Sequence, residues 1–233
     1  REIPAEALYG VQTLRGIENF SISKFRLSEY PLFIKGLAIT KMAAAMANFE
    51  LGLLTVEQKD AIIAACGEII DGKHHDQFPV DMIQGGAGTT TNMNANEVIA
   101  NRALELMGHE RGEYQYCSPN DHVNCSQSTN DAYPTAIHIG MYFKHLQLLP
   151  HLEELIASFR KKGEEFSRII KMGRTQLEDA VPMTLGQTFN GFASILQDEI
   201  AHLNEAAADF LVVNMGATAI GTCLLYTSPS PRD

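Results

Sequence analysis

The sequence predicts a mainly α-helical protein, and three observations support this class. Apolar residues recur every three or four positions over long stretches, which is the spacing of a helix face. No alternation typical of strands and no internal repeat stands out. The composition, with 45% hydrophobic and 20% charged residues, is typical of a soluble globular chain of this length.

The first part of the chain predicts three medium-length helices. Residues 34–51, 55–71 and 93–106 have helical spacing and are rich in Ala, Met, Ile and Leu. Gly52 and the region 72–79 separate them, because Gly and Pro end helices. We therefore expect a small helical domain over residues 1–125.

The second part predicts two much longer helices. One pattern starts near Asn130 and extends for about thirty residues, interrupted at Pro150; the other starts at Thr184. At about 1.5 Å per residue such helices reach roughly 45 Å, so they need a bundle to cover their apolar faces. We expect residues 126–222 to form part of a central helix-bundle domain.

Charge, hydropathy and cysteine content disfavour several classes of binding partner. A formal net charge of −10 disfavours nucleic acid and anionic membranes, which need clustered Lys and Arg. No apolar run approaches the ~20 residues of a membrane span, and no leader pattern opens the chain, so we expect a cytoplasmic protein. The four Cys form no zinc spacing, which predicts reduced thiols, and we interpret residues 74–76, two His and an Asp, as a solvated turn rather than a metal site.

Three polar stretches carry the functional signal. Residues 85–97, 126–131 and 173–187 are dense in hydroxyls and amides, and each leads into a predicted helix. Helix starts have unpaired N–H groups and a partial positive charge, so three of them could enclose a dicarboxylate. Two simpler interpretations stay open: the hydroxyls are helix caps, and Gly85, Gly86 and Gly88 only turn the chain.

These stretches resemble the fumarase and aspartase superfamily of elimination enzymes, and within it the aspartate ammonia-lyases. The resemblance covers residues 1–222. Its motifs, in family order, are YGVQTLR at 9–15, GGAGTTTNMNANE at 85–97, GEYQY at 112–116, PNDHVN at 119–124, SQSTNDAYP at 126–134, KMGRTQLEDAVPMTLGQ at 171–187 and GATAIG at 216–221. It implies a mainly α fold whose central helices form the bundle of a homotetramer.

The resemblance also implies a reaction, the reversible loss of ammonia from L-aspartate to give fumarate through an aci-carboxylate. In this family, positions matching Thr89, Ser128 and Thr129 donate to the carboxylate beside the abstracted proton. Positions matching Asn130, Thr175 and Gln176 contact the amino group and orient the substrate. The family needs no cofactor, and a divalent cation acts at most as an activator.

Two departures from the family bear on the substrate. Gln176 stands where a His also occurs, which removes a titratable group, and Ser118 stands where fumarases commonly carry a His. Both favour an aspartase over a class II fumarase, the alternative enzyme. A non-catalytic helical assembly module is the alternative from another class. We interpret Asp121 and His122 as turn residues, and Glu178 and Asp179 as structural with Arg174 as a partner, because acidic groups would repel a dianion.

The two ends of the sequence suggest that other residues complete the protein. Residues 223–233 resemble no family sequence and are the codon-by-codon translation of a transposase adapter used in DNA library preparation, so we expect an artefact there. The family base, a Ser on a Gly-Ser-Ser loop, lies beyond residue 222, and the first residue is Arg1 rather than Met. We therefore expect an N-terminal part that has no catalytic base, is inactive alone and exposes apolar surface.

Overall fold

The computed structural model describes residues 2–86 and 88–217 and confirms the mainly α class. The predicted tail at 223–233, including Cys223, lies outside the described residues. Contacts divide the chain into two compact units. Unit 1 comprises the described residues up to Met141 together with residues 212–217, and unit 2 is Tyr142–Leu211.

Unit 1 is a helical domain built around one apolar core. Its helices are α1 (Val11–Asn19), α2 (Pro31–Glu50), α3 (Val56–Ile70), α4 (Thr89–Leu106) and the beginning of α5 (Thr129–Glu165). Short helical turns occupy Leu27–Glu29, His75–Gln77 and Pro119–Val123. The largest fully buried apolar side chains come from α2, α3, α4 and the segments between them: Leu27, Ile34, Leu37, Ile62, Ile69, Phe78, Val80, Val98, Ile99, Leu104 and Val123.

Local sequence explains where these helices begin. Pro31 lies in the first turn of α2, where its missing N–H costs no hydrogen bond. Thr55 accepts the Gln58 N–H and receives the Gln58 side chain in return, a capping box that starts α3. Helix α4 begins at Thr89, four residues before the predicted start, and its polar first turn includes the buried Thr91 and Asn92 instead of belonging to a loop.

Unit 2 contains the rest of α5, a two-stranded antiparallel hairpin and helix α6 (Leu185–Ala208). Strand β1 (Ile170–Thr175) pairs with β2 (Glu178–Thr184), with Ile170 opposite Thr184 and Thr175 opposite Glu178. The expectation of no strand was wrong here. The hairpin is exposed on both faces, so its sequence carries no alternation of apolar and polar residues.

Helix α5 runs for 37 residues through Pro134 and Pro150 without ending at either. The predicted interruption at Pro150 was therefore wrong. A proline removes one intrahelical hydrogen bond, and the many bonds of a long helix on both sides of it keep the helix continuous. The predicted start of the last helix is confirmed, because Thr184 and Gln187 form a capping box before α6.

The compact units divide at residue 142, within α5, whereas the change of sequence character at residues 125 and 126 lies just before that helix starts. The division into three sequence regions stays a prediction. Among the described residues, only helix α2 is long and apolar enough to cross a membrane by length and composition. About half of the apolar stretch of α2 is buried, as is common for a helix in a protein core.

Candidate active site

The structure places four of the six predicted site residues at two adjacent helix starts in unit 1. Thr89 is the first residue of α4, and Ser128, Thr129 and Asn130 lie at the start of α5. The Asn92 side chain, in the first turn of α4, donates from Nδ2 to Thr129 Oγ1 at 3.2 Å. The starts of α4 and α5 therefore meet directly, as the interpretation of these stretches as one site requires.

The start of α4 is fixed without an ordinary side-chain cap. Gly88 occupies the N-cap position with a φ of 86°, and a side chain there would collide with the Tyr133 ring of α5. Gln84 takes over the capping role. Its Oε1 accepts the Thr91 N–H and its Nε2 donates to Thr91 Oγ1, both at 2.8 Å. The hypothesis that the threonines cap α4 was therefore wrong, since Thr89 lies in its first turn with an exposed side chain.

The start of α5 has a capping arrangement of its own. The Ser128 hydroxyl accepts the Asn130 N–H at 3.2 Å, and the Asp131 carboxylate accepts the Ser128 N–H at 3.0 Å. Ser126, two residues earlier, has a φ of 56°, which is strained for a residue with a side chain. The capping interpretation of Ser128 is confirmed, and the strain marks this loop as a place where function is expected.

A buried network of amides lies behind these helix starts. Asn124 Oδ1 accepts three hydrogen bonds, from Lys41 Nζ at 2.8 Å, Asn92 Nδ2 at 3.0 Å and Asn96 Nδ2 at 3.2 Å. The Asn92 amide continues the network to the Thr129 hydroxyl. This network holds α2, α4 and the segment before α5 together behind the predicted donors.

Lys41 and Asp131 are ionisable groups near the helix starts whose pKa values differ clearly from the ordinary values. Lys41 is fully buried, and loss of water lowers the pKa of its ammonium to about 7, although the Asp131 carboxylate acts in the opposite direction. Burial likewise raises the pKa of Asp131, whose Oδ2 accepts the Gly216 N–H at 3.3 Å. Neither group needs to contact a ligand to influence the charge around the helix starts.

The other two predicted residues lie on the hairpin of unit 2. Thr175 ends β1, and Gln176 opens the two-residue turn to β2 with Leu177, with φ values of 47° and 68°. Both side chains at the turn are exposed. Turns with positive φ at both central positions prefer Asn and Gly, so Gln and Leu are strained here.

Ser118, Asp121 and His122 lie in a turn and Arg174 forms an ion pair, as the sequence predicts. Ser118 donates its hydroxyl to Asp121 at 2.9 Å and its N–H to His122 Nδ1 at 2.7 Å, so the pair closes a short helical turn. Arg174 pairs with Asp179 at 3.3 Å, both exposed.

The His74 to Asp76 segment forms a turn, in which His74 contacts Glu68 at 2.9 Å and His75 contacts the Ile69 carbonyl at 2.8 Å. Within residues 2–86 and 88–217, no group of three or more His, Cys, Asp or Glu side chains could hold a metal ion. Cys66, Cys117 and Cys125 are free thiols, and burial raises the pKa of Cys66 and Cys117 to about 12.

A cavity of about 530 Å³ in unit 1 lies away from the predicted residues. It is bounded by the N-terminal loop and by the segment after α4, with Tyr9, Asn101, His109, Arg111 and Tyr114 among its lining. Sequence reasoning also missed the residues behind the helix starts. Asn92 and Asn96, four positions apart and thus on one helix face, were the available signal.

Comparison with known proteins identifies the family. A family model described as a lyase matches residues 1–230. An aspartate ammonia-lyase of Pseudomonas canavaninivorans is 59% identical over 222 residues, which are 95% of this chain and 47% of that protein. The aspartate ammonia-lyase of Escherichia coli strain K12 is 56% identical over 225 residues, 96% of this chain and 47% of that protein.

Solved structures agree with this assignment. A fumarate lyase:delta crystallin of Brucella melitensis bound to cobalt has a TM-score of 0.92 at 55% identity, covering 95% of this chain and 48% of that one. A class II fumarase of Schistosoma mansoni has a TM-score of 0.85 at 38% identity, covering 97% of this chain and 47% of that one. The chain therefore belongs to the lyase family of the fumarase and aspartase superfamily. It spans about half the length of the curated relatives it matches.

Proposed function

We propose that the complete protein catalyses the reversible elimination of ammonia from L-aspartate to give fumarate. The observation that carries this proposal is the meeting of two helix starts that present neutral hydroxyls and amides, held together by the Asn92 to Thr129 hydrogen bond. The relatives named aspartate ammonia-lyase, at 59% and 56% identity, support this choice of substrate.

The difficult step of such a reaction is removal of the Cβ proton beside a carboxylate. The electron pair of the broken C–H bond spreads onto that carboxylate, so negative charge accumulates on its two oxygens. Fixed donors aimed at these oxygens bind the transition state more strongly than the substrate. We assign this role to the Thr89, Ser128 and Thr129 hydroxyls, assisted by the positive end of α5.

The electron pair then leaves the carboxylate to form the Cα–Cβ double bond, and the C–N bond breaks with ammonia as the leaving group. We assign Asn130, Thr175 and Gln176 to binding the amino group and orienting the substrate. Gln176 can donate and accept hydrogen bonds but cannot take a proton near neutral pH. The base, a Ser by family resemblance, is proposed to come from residues other than these.

We further propose that the reaction requires no cofactor and that a divalent cation serves only as an activator. For the complete protein we propose a cytoplasmic homotetramer. The exposed apolar residues of α5 and α6 support an assembly in which further helices cover them.

A class II fumarase acting on malate is the alternative enzyme, favoured by the Schistosoma mansoni structure at 38% identity. One difference in the sequence supports the aspartase instead. Ser118 occupies the position where fumarases commonly carry a His, and its side chain is used in capping the Pro119–Val123 turn.

Steady-state assays of the complete protein with L-aspartate and with L-malate, both read as fumarate formation, separate these functions. We expect turnover of aspartate with release of ammonia and no comparable turnover of malate. Turnover of malate alone would replace the proposal with a fumarase. Turnover of neither substrate by a folded assembly would favour the non-catalytic helical module.

A further inference from the structure

Asn92 lies between the half-buried amide of Asn124 and the hydroxyl of Thr129, where no role follows from the assigned chemistry. Its Nδ2 donates to Asn124 Oδ1 at 3.0 Å and to Thr129 Oγ1 at 3.2 Å. The residue is 2% exposed, so it lies behind the proposed carboxylate site rather than in it.

The direction of these hydrogen bonds is determined by a backbone carbonyl. Asn124 Nδ2 donates to the Gln127 carbonyl oxygen at 3.1 Å, and a carbonyl oxygen can only accept. The other amide atom of Asn124, which faces Asn92, must therefore be its oxygen. Lys41 Nζ, which donates to that same oxygen at 2.8 Å, agrees with this orientation.

This orientation fixes Asn92 in turn. An amide that faces the Asn124 oxygen has to present its NH₂ group, and the two hydrogens of that group then point to Asn124 and Thr129. The orientation has a cost, because Asn92 Oδ1 is buried without a hydrogen-bond partner among the described residues. Burying a carbonyl oxygen without a hydrogen bond is unfavourable, so the network imposes this geometry against a local preference.

We propose that Asn92 is a positioning residue that keeps the Thr129 hydroxyl oriented as a donor towards the substrate carboxylate. Thr129 Oγ1 accepts from Asn92, so its single hydrogen is not used in that contact. A hydroxyl that already accepts a hydrogen bond is also polarised towards donating. This inference rests on the proposed function, and it explains why a buried donor rather than an acceptor stands behind Thr129.

The replacement Asn92→Asp in the complete protein tests the inference. The shape of the side chain is kept, but a carboxylate accepts, so it captures the Thr129 hydrogen and turns the hydroxyl away from the substrate. We expect kcat on aspartate to fall about 100-fold, as for the loss of one oxyanion donor. Asn92→Ala leaves the hydrogen free, so we expect its kcat to fall only about tenfold or less.

Asn96→Asp is the matched control. Asn96 lies one turn further along α4, donates to the same Asn124 oxygen and also has a buried, unpaired Oδ1, but it does not contact Thr129. Both Asp variants introduce the same charge into the same network. We expect Asn96→Asp to lose far less kcat than Asn92→Asp at a similar thermal midpoint. Equal losses in the two variants would overturn the proposal.

A double-mutant cycle with Thr129→Val distinguishes positioning from independent effects. If Asn92 acts only through the Thr129 hydrogen, the variant that combines Asn92→Asp with Thr129→Val should match Thr129→Val alone within about threefold. Losses that multiply would overturn the inference. If Asn92→Asp fails to fold, the cycle is run with Asn92→Ala, for which the same non-additivity is expected.

Activity of the unaltered protein distinguishes failure of the proposed function from failure of the proposed role of Asn92. Absence of aspartate turnover in the parent overturns the proposed function. Turnover in the parent, together with an Asn92→Asp variant that behaves like Asn96→Asp, overturns only the role of Asn92.

Discussion

Unit 1 and unit 2 differ in how far their large apolar side chains are buried. In unit 1 the large apolar side chains of α2, α3 and α4 converge on one core, and many of them are fully buried. In unit 2 the buried apolar residues within Tyr142–Leu211 are Ile156, Ala193 and Ala207. Its exposed large apolar side chains are Leu146, Leu148, Leu155, Ile169, Ile170, Met172, Leu177, Val181, Phe192, Ile195 and Leu211.

The exposed apolar side chains of α5 recur at a regular interval in the sequence. Met141, Leu148 and Leu155 are exposed at intervals of seven along α5, so they form one stripe, as in helices that pack in bundles. The proposed site divides in the same way. Its unit 1 residues are backed by a buried amide network, whereas Thr175 and Gln176 are exposed on a strained hairpin. The proposed residues of unit 1 are therefore held in place within their own unit, whereas unit 2 leaves the side chains of its hairpin turn exposed.

The strongest test of this comparison is the association of the 233-residue chain by itself. We expect aggregation or large oligomers, because unit 2 exposes apolar stripes that water disfavours. Sedimentation velocity measures the result directly. A single sharp monomer peak would show that the exposed stripes do not drive association.

Polar replacements locate the surface responsible. Changing Leu148, Leu155 and Ile195 to Gln should shift the chain towards monomer. The same change at Leu51 and Leu53, which are exposed at the end of α2 in unit 1, should leave association unaltered. Association that responds equally to both sets would mean that the contrast between the units is wrong.

The next largest effect, a loss of folding stability, is expected on replacing Glu97, a buried residue of α4 that binds the start of α1. It accepts the N–H groups of Gly10, Gln12 and Thr13 and the Thr13 hydroxyl, at 2.7–3.0 Å, and so caps α1. Glu97→Ala should reduce the free energy of unfolding by about 3 kcal/mol, because it leaves several buried donors unpaired. Chemical denaturation measures the loss, and Glu97→Gln, which keeps one acceptor oxygen, should lose less.

A pH-dependent effect is expected at Glu68, which joins α3 to α4. The Arg102 guanidinium donates to both of its oxygens, at 2.6 and 2.8 Å, and this holds the pKa of Glu68 at about 2 instead of 4.5. Because the folded-state pKa is depressed, the carboxylate stabilises the fold above pH 4.5, and this contribution is lost as the pH falls towards 2.

Glu68→Gln should therefore be less stable by about 1–2 kcal/mol at neutral pH, after allowance for solvent screening of a partly exposed pair. The gap to the unaltered protein should close during acid titration followed by circular dichroism. The exposed Glu110→Gln serves as the control and should show no such gap. A difference at Glu68 that persists unchanged to pH 2 would rule out this linkage.

The smallest expected effect concerns backbone strain before α5. Ser126→Gly should raise the thermal stability of unit 1 by about 0.5–1 kcal/mol, because Gly adopts a φ of 56° without steric cost. In unit 2, Ser158→Gly lies within the regular α5 helix and should lower stability by a similar amount. Destabilisation by both changes would mean that Ser126 is not strained.

The sequence predicted the fold to the extent that its helices bury continuous apolar faces. Helices α2 and α3 begin and end within three residues of their predicted positions, and Thr184 starts α6 as expected. The β1 and β2 hairpin was missed because an exposed ribbon needs no pattern. Pro150 was given too much weight, because a proline removes one intrahelical hydrogen bond and α5 continues through it to Glu165.

The sequence also predicted only part of the candidate site. Thr89 and Ser128 could be assigned because hydroxyls before apolar runs are visible along the chain. Lys41 and Asn124 could not be assigned, because in a sequence they look like surface residues and only tertiary contacts bring them together. Asn92 had one signal, its helical spacing from Asn96, which was not used. The cap provided by Gln84 was hidden for the same reason, because it replaces a local signal with a contact seven residues away.

The assignment of the Thr129 hydroxyl as a carboxylate donor is tested by comparing kcat on L-aspartate for Thr129→Val and Thr135→Val in the complete protein. Thr135 lies further along α5, is buried, and its hydroxyl has no hydrogen-bond partner among the described residues, so it controls for the loss of a threonine hydroxyl from this helix. We predict a fall of about 100-fold or more for Thr129→Val and less than about twofold for Thr135→Val. Parent-like turnover by Thr129→Val would contradict the assignment of the meeting helix starts as the carboxylate site.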